Sequence, residues 1–103
     1  IAMIEGSVWG GACEMAFICD ILIGTQTASF AITPSKIGVP YNSSGIIHFL
    51  NMVNINIAKE MFFTAMPISA KKAENLGILN YLVEADELES FTYKIAKQIS
   101  ANS

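Results

Sequence analysis

The sequence predicts an α/β fold, and three observations carry that reading. Short apolar runs at residues 1–4, 21–23 and 28–32 have the length, and in part the alternation, of strands. Leu88, Phe91, Ile95 and Ile99 recur at three- and four-residue spacing and so line one face of a helix. Strand-like and helix-like segments interleave along the chain rather than forming separate blocks, as mixed organisation requires.

Taken in order, residues 1–4 read as a strand that runs into the turn Gly6-Ser7-Val8-Trp9-Gly10-Gly11. Residues 12–19 follow as a buried helix with few breakers, its Glu14 facing a cleft or solvent, until Asp20 interrupts it. The strands at 21–23 and 28–32 are joined by the polar turn 24–27, and Thr33-Pro34-Ser35 and Gly38-Val39-Pro40 are loop signals. Asn42, Ser43 or Ser44 can cap a helix that continues through His48 to about Met52, and residues 56–64 form a second helical stretch. Ser69 caps a short helix that Gly77 ends. Residues 78–83 then read as a strand and 86–100 as the last helix. With 103 residues and no repeat or linker, one domain is expected.

Composition narrows the function. The formal net charge is −3 and no cluster of Lys and Arg appears, which argues against nucleic-acid binding. No apolar stretch approaches the roughly 20 residues needed to span a bilayer, so no membrane partner is expected. Cys13 and Cys19 stand six apart on one predicted helix, on different sides, and cannot pair there. With no visible leader, the reading is cytoplasmic. No spacing of His, Cys and carboxylates matches a metal-ligand set, so none is expected. A hydrophobic fraction of 52% against 15% charged residues is high for a small free domain and predicts contact with further segments or copies.

The turn at Gly10-Gly11 carries the clearest chemistry. Glycine permits dihedrals and close backbone approach that a Cβ obstructs, and a helix N-terminus presents unpaired N–H groups with partial positive charge. Such a place suits an oxygen that becomes negative during reaction. An ordinary strand-to-helix turn is the alternative for these glycines alone.

The segments Glu5 to Met15, Cys19-Asp20-Ile21-Leu22-Ile23, Ser29-Phe30, Gly38-Val39-Pro40-Tyr41-Asn42 and Ala73-Glu74-Asn75-Leu76-Gly77-Ile78-Leu79-Asn80 together resemble the crotonase (enoyl-CoA hydratase/isomerase) superfamily. The likeness runs over essentially the whole chain and is nearest the branch that decarboxylates methylmalonyl-type thioesters. It implies a partial crotonase-like spiral of ββα turns: the middle portion of a core domain, without its upstream half and C-terminal helices. It further implies an acyl-CoA thioester substrate, no cofactor beyond that CoA, and a homo-oligomer, trimer or hexamer.

The resemblance also assigns roles. The glycine matching Gly11 donates one of two backbone N–H bonds to the thioester oxygen, the other coming from upstream. Glu14 matches a glutamate that hydratases use in acid/base work, while Pro34 stands where their second carboxylate would be, leaving ordinary hydration short of a group. Tyr41 matches the tyrosine placed near the substrate carboxylate. Val8, Trp9, Gly10 and Pro40 fall where substrate is bound, although Val8 and Trp9 equally read as packing beneath the turn. The implied activity is decarboxylation of a methylmalonyl or related malonyl thioester. The alternatives are an enoyl-CoA hydratase or isomerase, and a catalytically silent piece with a folding or oligomer-forming role. Structural readings stand beside these: Glu14 as a solvated or paired carboxylate, Tyr41 as a loop ring, Cys13 and His48 as core residues, and Met61, Phe62 and Phe63 as core or oligomer contact. Lys71 and Lys72 read as a solvated face or as neighbours of a CoA phosphate.

Overall fold

A computed structural model describes residues 1–102. The chain first lays down β1 (Ala2–Ile4) and β2 (Ser7–Trp9), then α1 (Gly11–Ile18), β3 (Leu22–Gly24) and β4 (Ser29–Ala31). A 3-10 turn (Pro34–Ile37) leads to α2 (Ser43–Met52) and α3 (Ile55–Thr64). After these come β5 (Ile68–Ser69), α4 (Ala70–Asn75), β6 (Tyr81–Leu82), a second 3-10 turn (Ala85–Glu87) and α5 (Leu88–Ser100).

Two residues separate β1 from β2, yet the two strands lie in different sheets. One sheet has the order β1-β3-β6, all parallel; in the other β2 runs parallel to β4, and β4 antiparallel to β5. Each pass of two strands therefore stacks on the pass before it, with α1 between the first two. This is the ββα spiral that the sequence led us to expect. Parallel neighbours need a long crossover, and α1 supplies it.

Several local expectations need adjustment. Residues 7–9 are a strand rather than part of a turn, because Ser7, Val8 and Trp9 pair in register with Ser29, Phe30 and Ala31. Thr33-Pro34-Ser35 is not open loop: Pro34 starts a 3-10 helix, where its fixed φ and missing N–H cost nothing. The strand expected at 78–83 shrinks to β6, since the amides of Ile78 and Leu79 turn back to the Ala73 carbonyl at the end of α4. Gly77 stands there at φ 78°, the left-handed conformation that ends a helix. Asn80 then makes two bonds to Leu22: its N–H donates to the Leu22 carbonyl and its Oδ1 accepts from the Leu22 N–H, both at 2.8 Å.

The core gathers between the sheets and helices. Cys13, Ala16 and Phe17 from α1, Leu22, Phe30 and Ile32 from the strand region, Phe49 from α2 and Met61 from α3 are all buried. Only one face of α1 is covered, however; Met15 and Ile18 are 71% and 55% exposed, so this helix is half-open rather than buried. The helix caps follow sequence. Asn42, Asn54 and Ser69 each accept backbone N–H bonds at the starts of α2, α3 and α4. Lys71 pairs with Glu74 at 3.0 Å and Lys72 with Glu60 at 3.2 Å on the exposed surface. Among the described residues no helix is long and apolar enough to cross a membrane.

Two outcomes follow from this core. Phe30 is fully buried with its ring 6.0 Å from Phe17, so Phe30→Ala should destabilise the fold by about 3–5 kcal/mol; an unchanged urea midpoint would contradict that packing. Burial pushes the Cys13 thiol up from 9.0 to about 12, against a smaller opposing contribution from the Ala31 backbone. Folding thus raises this pKa, so the stabilisation is complete below pH 9 and is lost as pH rises from 9 through 12. Denaturation series between pH 7 and pH 12 should show stability falling above pH 9 in the parent. Cys13→Ala should flatten that fall.

Candidate active site

The site begins where β2 ends. Gly10 continues the pairing with β4 for one more residue, its N–H donating to the Ala31 carbonyl at 2.9 Å. Gly10 then turns through φ 60°, ψ −126°, a conformation closed to residues with a Cβ, and α1 starts at Gly11. The consequence is a division of labour between two neighbouring amides. That of Gly10 is spent on the sheet, whereas that of Gly11 has no acceptor among the described residues. Gly11 is exposed, and a Cβ placed on it would meet nothing within 4 Å. The first-turn amides also carry the positive end of the helix dipole.

Glu14 stands three residues further on, on the same helical face. Its own N–H closes the first helical bond to Gly10 at 3.1 Å. Its carboxylate Oε2 accepts the hydrogen bond of the Tyr41 hydroxyl. The structure therefore brings Glu14 and Tyr41 together: the carboxylate is paired rather than solvated, and the loop tyrosine packs by its ring while bonding by its hydroxyl. Burial first, then the hydrogen bond to Glu14 and the nearby charge of Glu14, with a lesser contribution from Cys13, hold the Tyr41 phenol above its ordinary pKa. Tyr41 thus remains a proton donor across the physiological range.

The ring of Tyr41 is fixed as firmly as its hydroxyl. It meets Phe49 and Phe62 edge-on, with centroids 5.8 and 5.2 Å away, and those two rings meet each other at 5.3 Å. Phe49 in turn packs on Phe17 of α1 at 4.9 Å. Aromatic contacts therefore run without a break from the core to the phenol. Phe62 also borders an apolar groove of about 300 Å³ between α2 and α3, shared with Ile46, Leu50, Ile55 and Phe63. Of the triplet read as core or contact, Met61 is buried, Phe62 is half-buried against Tyr41 and Phe63 is exposed.

The other expected residues are placed differently. Trp9 is 46% exposed, with its indole N–H bonded to Ser29 Oγ at 3.3 Å. Val8 alternates inward, half-buried against the core. Pro40 is exposed in the loop between Gly38, at φ 67°, and Tyr41. His48 is half-buried on α2, and Cys13 is fully buried in the first turn of α1. Among the described residues no group of His, Cys, Asp and Glu could hold a metal. What sequence reasoning missed is Gly45, in the first turn of α2, which lies against both Tyr41 and Glu14. A glycine three residues after a capping Asn, where helix formers are favoured, was the available signal.

Known proteins share this fold. The family model described as enoyl-CoA hydratase/isomerase matches residues 1–103. The chain is 49% identical over 100 residues to methylmalonyl-CoA decarboxylase of Escherichia coli K12, covering 97% of this chain and 38% of that protein. It is 34% identical over 103 residues to short-chain-enoyl-CoA hydratase of Clostridium acetobutylicum, covering all of this chain and 40% of that one. Among solved structures, methylmalonyl-CoA decarboxylase in complex with 2-nitronate-propionyl-CoA superposes with a TM-score of 0.95 at 48% identity, over 98% of this chain and 39% of that one. Enoyl-CoA hydratase from Mycobacterium tuberculosis H37Rv superposes at 0.88 and 30% identity, over 95% and 44%. The chain thus spans about two fifths of the length of these relatives. With the family model matching along the whole chain and the stacked ββα frame superposing on solved structures, these 103 residues belong to the enoyl-CoA hydratase/isomerase family.

Proposed function

We propose that this chain supplies the central part of a decarboxylase acting on methylmalonyl-CoA or a related malonyl thioester. The observation that carries the reading is the free Gly11 amide with Glu14 one turn along the same helix, its carboxylate bonded by the Tyr41 hydroxyl from the loop before α2. In the reaction the C–CO2 bond breaks, its electron pair passes into the thioester carbonyl, and CO2 leaves. The enolate oxygen so formed accepts the Gly11 N–H, a donor of a kind worth about 3–4 kcal/mol in the barrier. The α-carbon then takes a proton from solvent to give the acyl-CoA. The thioester itself accepts the electrons, so no cofactor enters beyond the substrate's own CoA.

Tyr41 orients the leaving carboxylate with its hydroxyl, and Glu14 holds that hydroxyl in place before substrate arrives. Substrate and Glu14 compete for the one phenolic proton. Hydration is the weaker reading because Pro34 occupies the place of a second carboxylate and Glu14 is already engaged by Tyr41. The likeness to methylmalonyl-CoA decarboxylase points the same way. Val8, Trp9, Gly10 and Pro40 would border the acyl and thioester groups, and the assembly would be a cytoplasmic trimer or hexamer.

A chimera in which this chain replaces the matching 100 residues of the E. coli decarboxylase provides the test. It should release CO2 from methylmalonyl-CoA, and Tyr41→Phe should slow turnover by about 10–100-fold, the cost of one hydrogen bond to a charged group, while thioester binding persists. Efficient hydration of crotonyl-CoA without CO2 release would replace this reading with the hydratase one. The share of the relatives that the chain covers favours one further reading, that the 11.1 kDa chain alone is silent. Calorimetric binding of propionyl-CoA by that species would exclude it.

A further inference from the structure

Gly45 is the one residue of α2 whose choice the helix itself does not explain. It occupies the third helical position, where glycine is about 1 kcal/mol worse than alanine. Its φ is not positive, in contrast to Gly10, Gly38 and Gly77, so backbone conformation does not demand it. Its N–H donates to the capping Asn42 Oδ1 at 2.5 Å, a bond any residue could make.

Space is what demands it. A Cβ on Gly45 would lie 2.5 Å from Tyr41 Cε1, 2.9 Å from Glu14 Oε1 and 3.0 Å from Asn42 Oδ1. At Gly24 the nearest atom is a flexible Leu79 methyl at 3.0 Å, which can give way. At Gly45 the nearest atom belongs to a rigid ring already held edge-on by Phe49 and Phe62, of which Phe49 is fully buried. Any Cβ there must push the phenol ring, the carboxylate, or both.

We propose that Gly45 is a positioning residue: its bare backbone is what lets Tyr41 and Glu14 close on one another, so a single methyl at this position misplaces the hydroxyl that would meet the substrate carboxylate. The contact stands on geometry within the chain; its use in catalysis rests on the decarboxylase reading.

The test uses the 103-residue chain labelled with ¹³Cζ-tyrosine, the Tyr41 signal being assigned by its loss in Tyr41→Phe. In the parent, Tyr41 should titrate above the ordinary value of about 10. Both Gly45→Ala and Glu14→Gln should bring it down toward that value, and combining them should add little, since each breaks the same contact. A Gly45→Ala chain that stays folded with Tyr41 titrating as in the parent would overturn the proposal. If Gly45→Ala does not fold, Tyr41→Ala in the same chain should restore folding by removing the ring; failure to do so would equally overturn it. In the E. coli chimera, Gly45→Ala should lower kcat several-fold with little change in KM. The titration involves no substrate, so a chimera inactive from the outset defeats the decarboxylase reading without touching this one.

Discussion

The parallel pairing of β2 with β4, carried one residue beyond the strand by the Gly10 N–H and the Ala31 carbonyl, is the constraint on which the rest of the structure depends. It uses up one amide and, through the turn at Gly10, forces the next to be the first of a helix. A helix that starts there directs Cys13, Ala16 and Phe17 into the core and leaves Glu14 at its edge. A shift of one residue would exchange the free amide for the bonded one and turn Glu14 away from Tyr41.

The aromatic contacts from Phe30 through Phe17 and Phe49 to Tyr41 join that helix to α2. Core packing and the placement of the phenol are therefore the same interaction viewed from two ends. A half-buried carboxylate is costly unless a donor meets it, and the Tyr41 hydroxyl is that donor. Charge, shape and cap converge within the first turn of α2, where Asn42 receives both the Gly45 N–H and the Ser44 hydroxyl.

The helices were legible because their signals are local. Asn42 and Ser69 cap where expected, Gly77 ends α4 in the left-handed conformation, and the spacing of Leu88, Phe91, Ile95 and Ile99 marks α5. The short strands were less so. Ser7-Val8-Trp9 reads equally as turn or strand until β4 is beside it, and the two residues of β5 carry no period. Ile78 and Leu79 look like strand but serve as the end of a helix. At the site, the glycine turn and the identities of Glu14 and Tyr41 stood out in sequence, whereas their direct bond did not, because 27 positions separate them. Gly45 was hidden for the same reason, since its meaning lies in two side chains brought in by other elements.

The two bonds between Asn80 and Leu22 bear on how the chain reaches this state. They join positions 58 apart, and until they form, the outer edge of β3 is bare backbone. Contacts of such long span are entropically slow to close. The β1-β3 ladder needs only the first quarter of the polypeptide, so it can assemble early, while arrival of the Asn80 segment completes the buried sheet late. A single carboxamide thus ties a strand that can pair early to a segment 58 positions further along the chain.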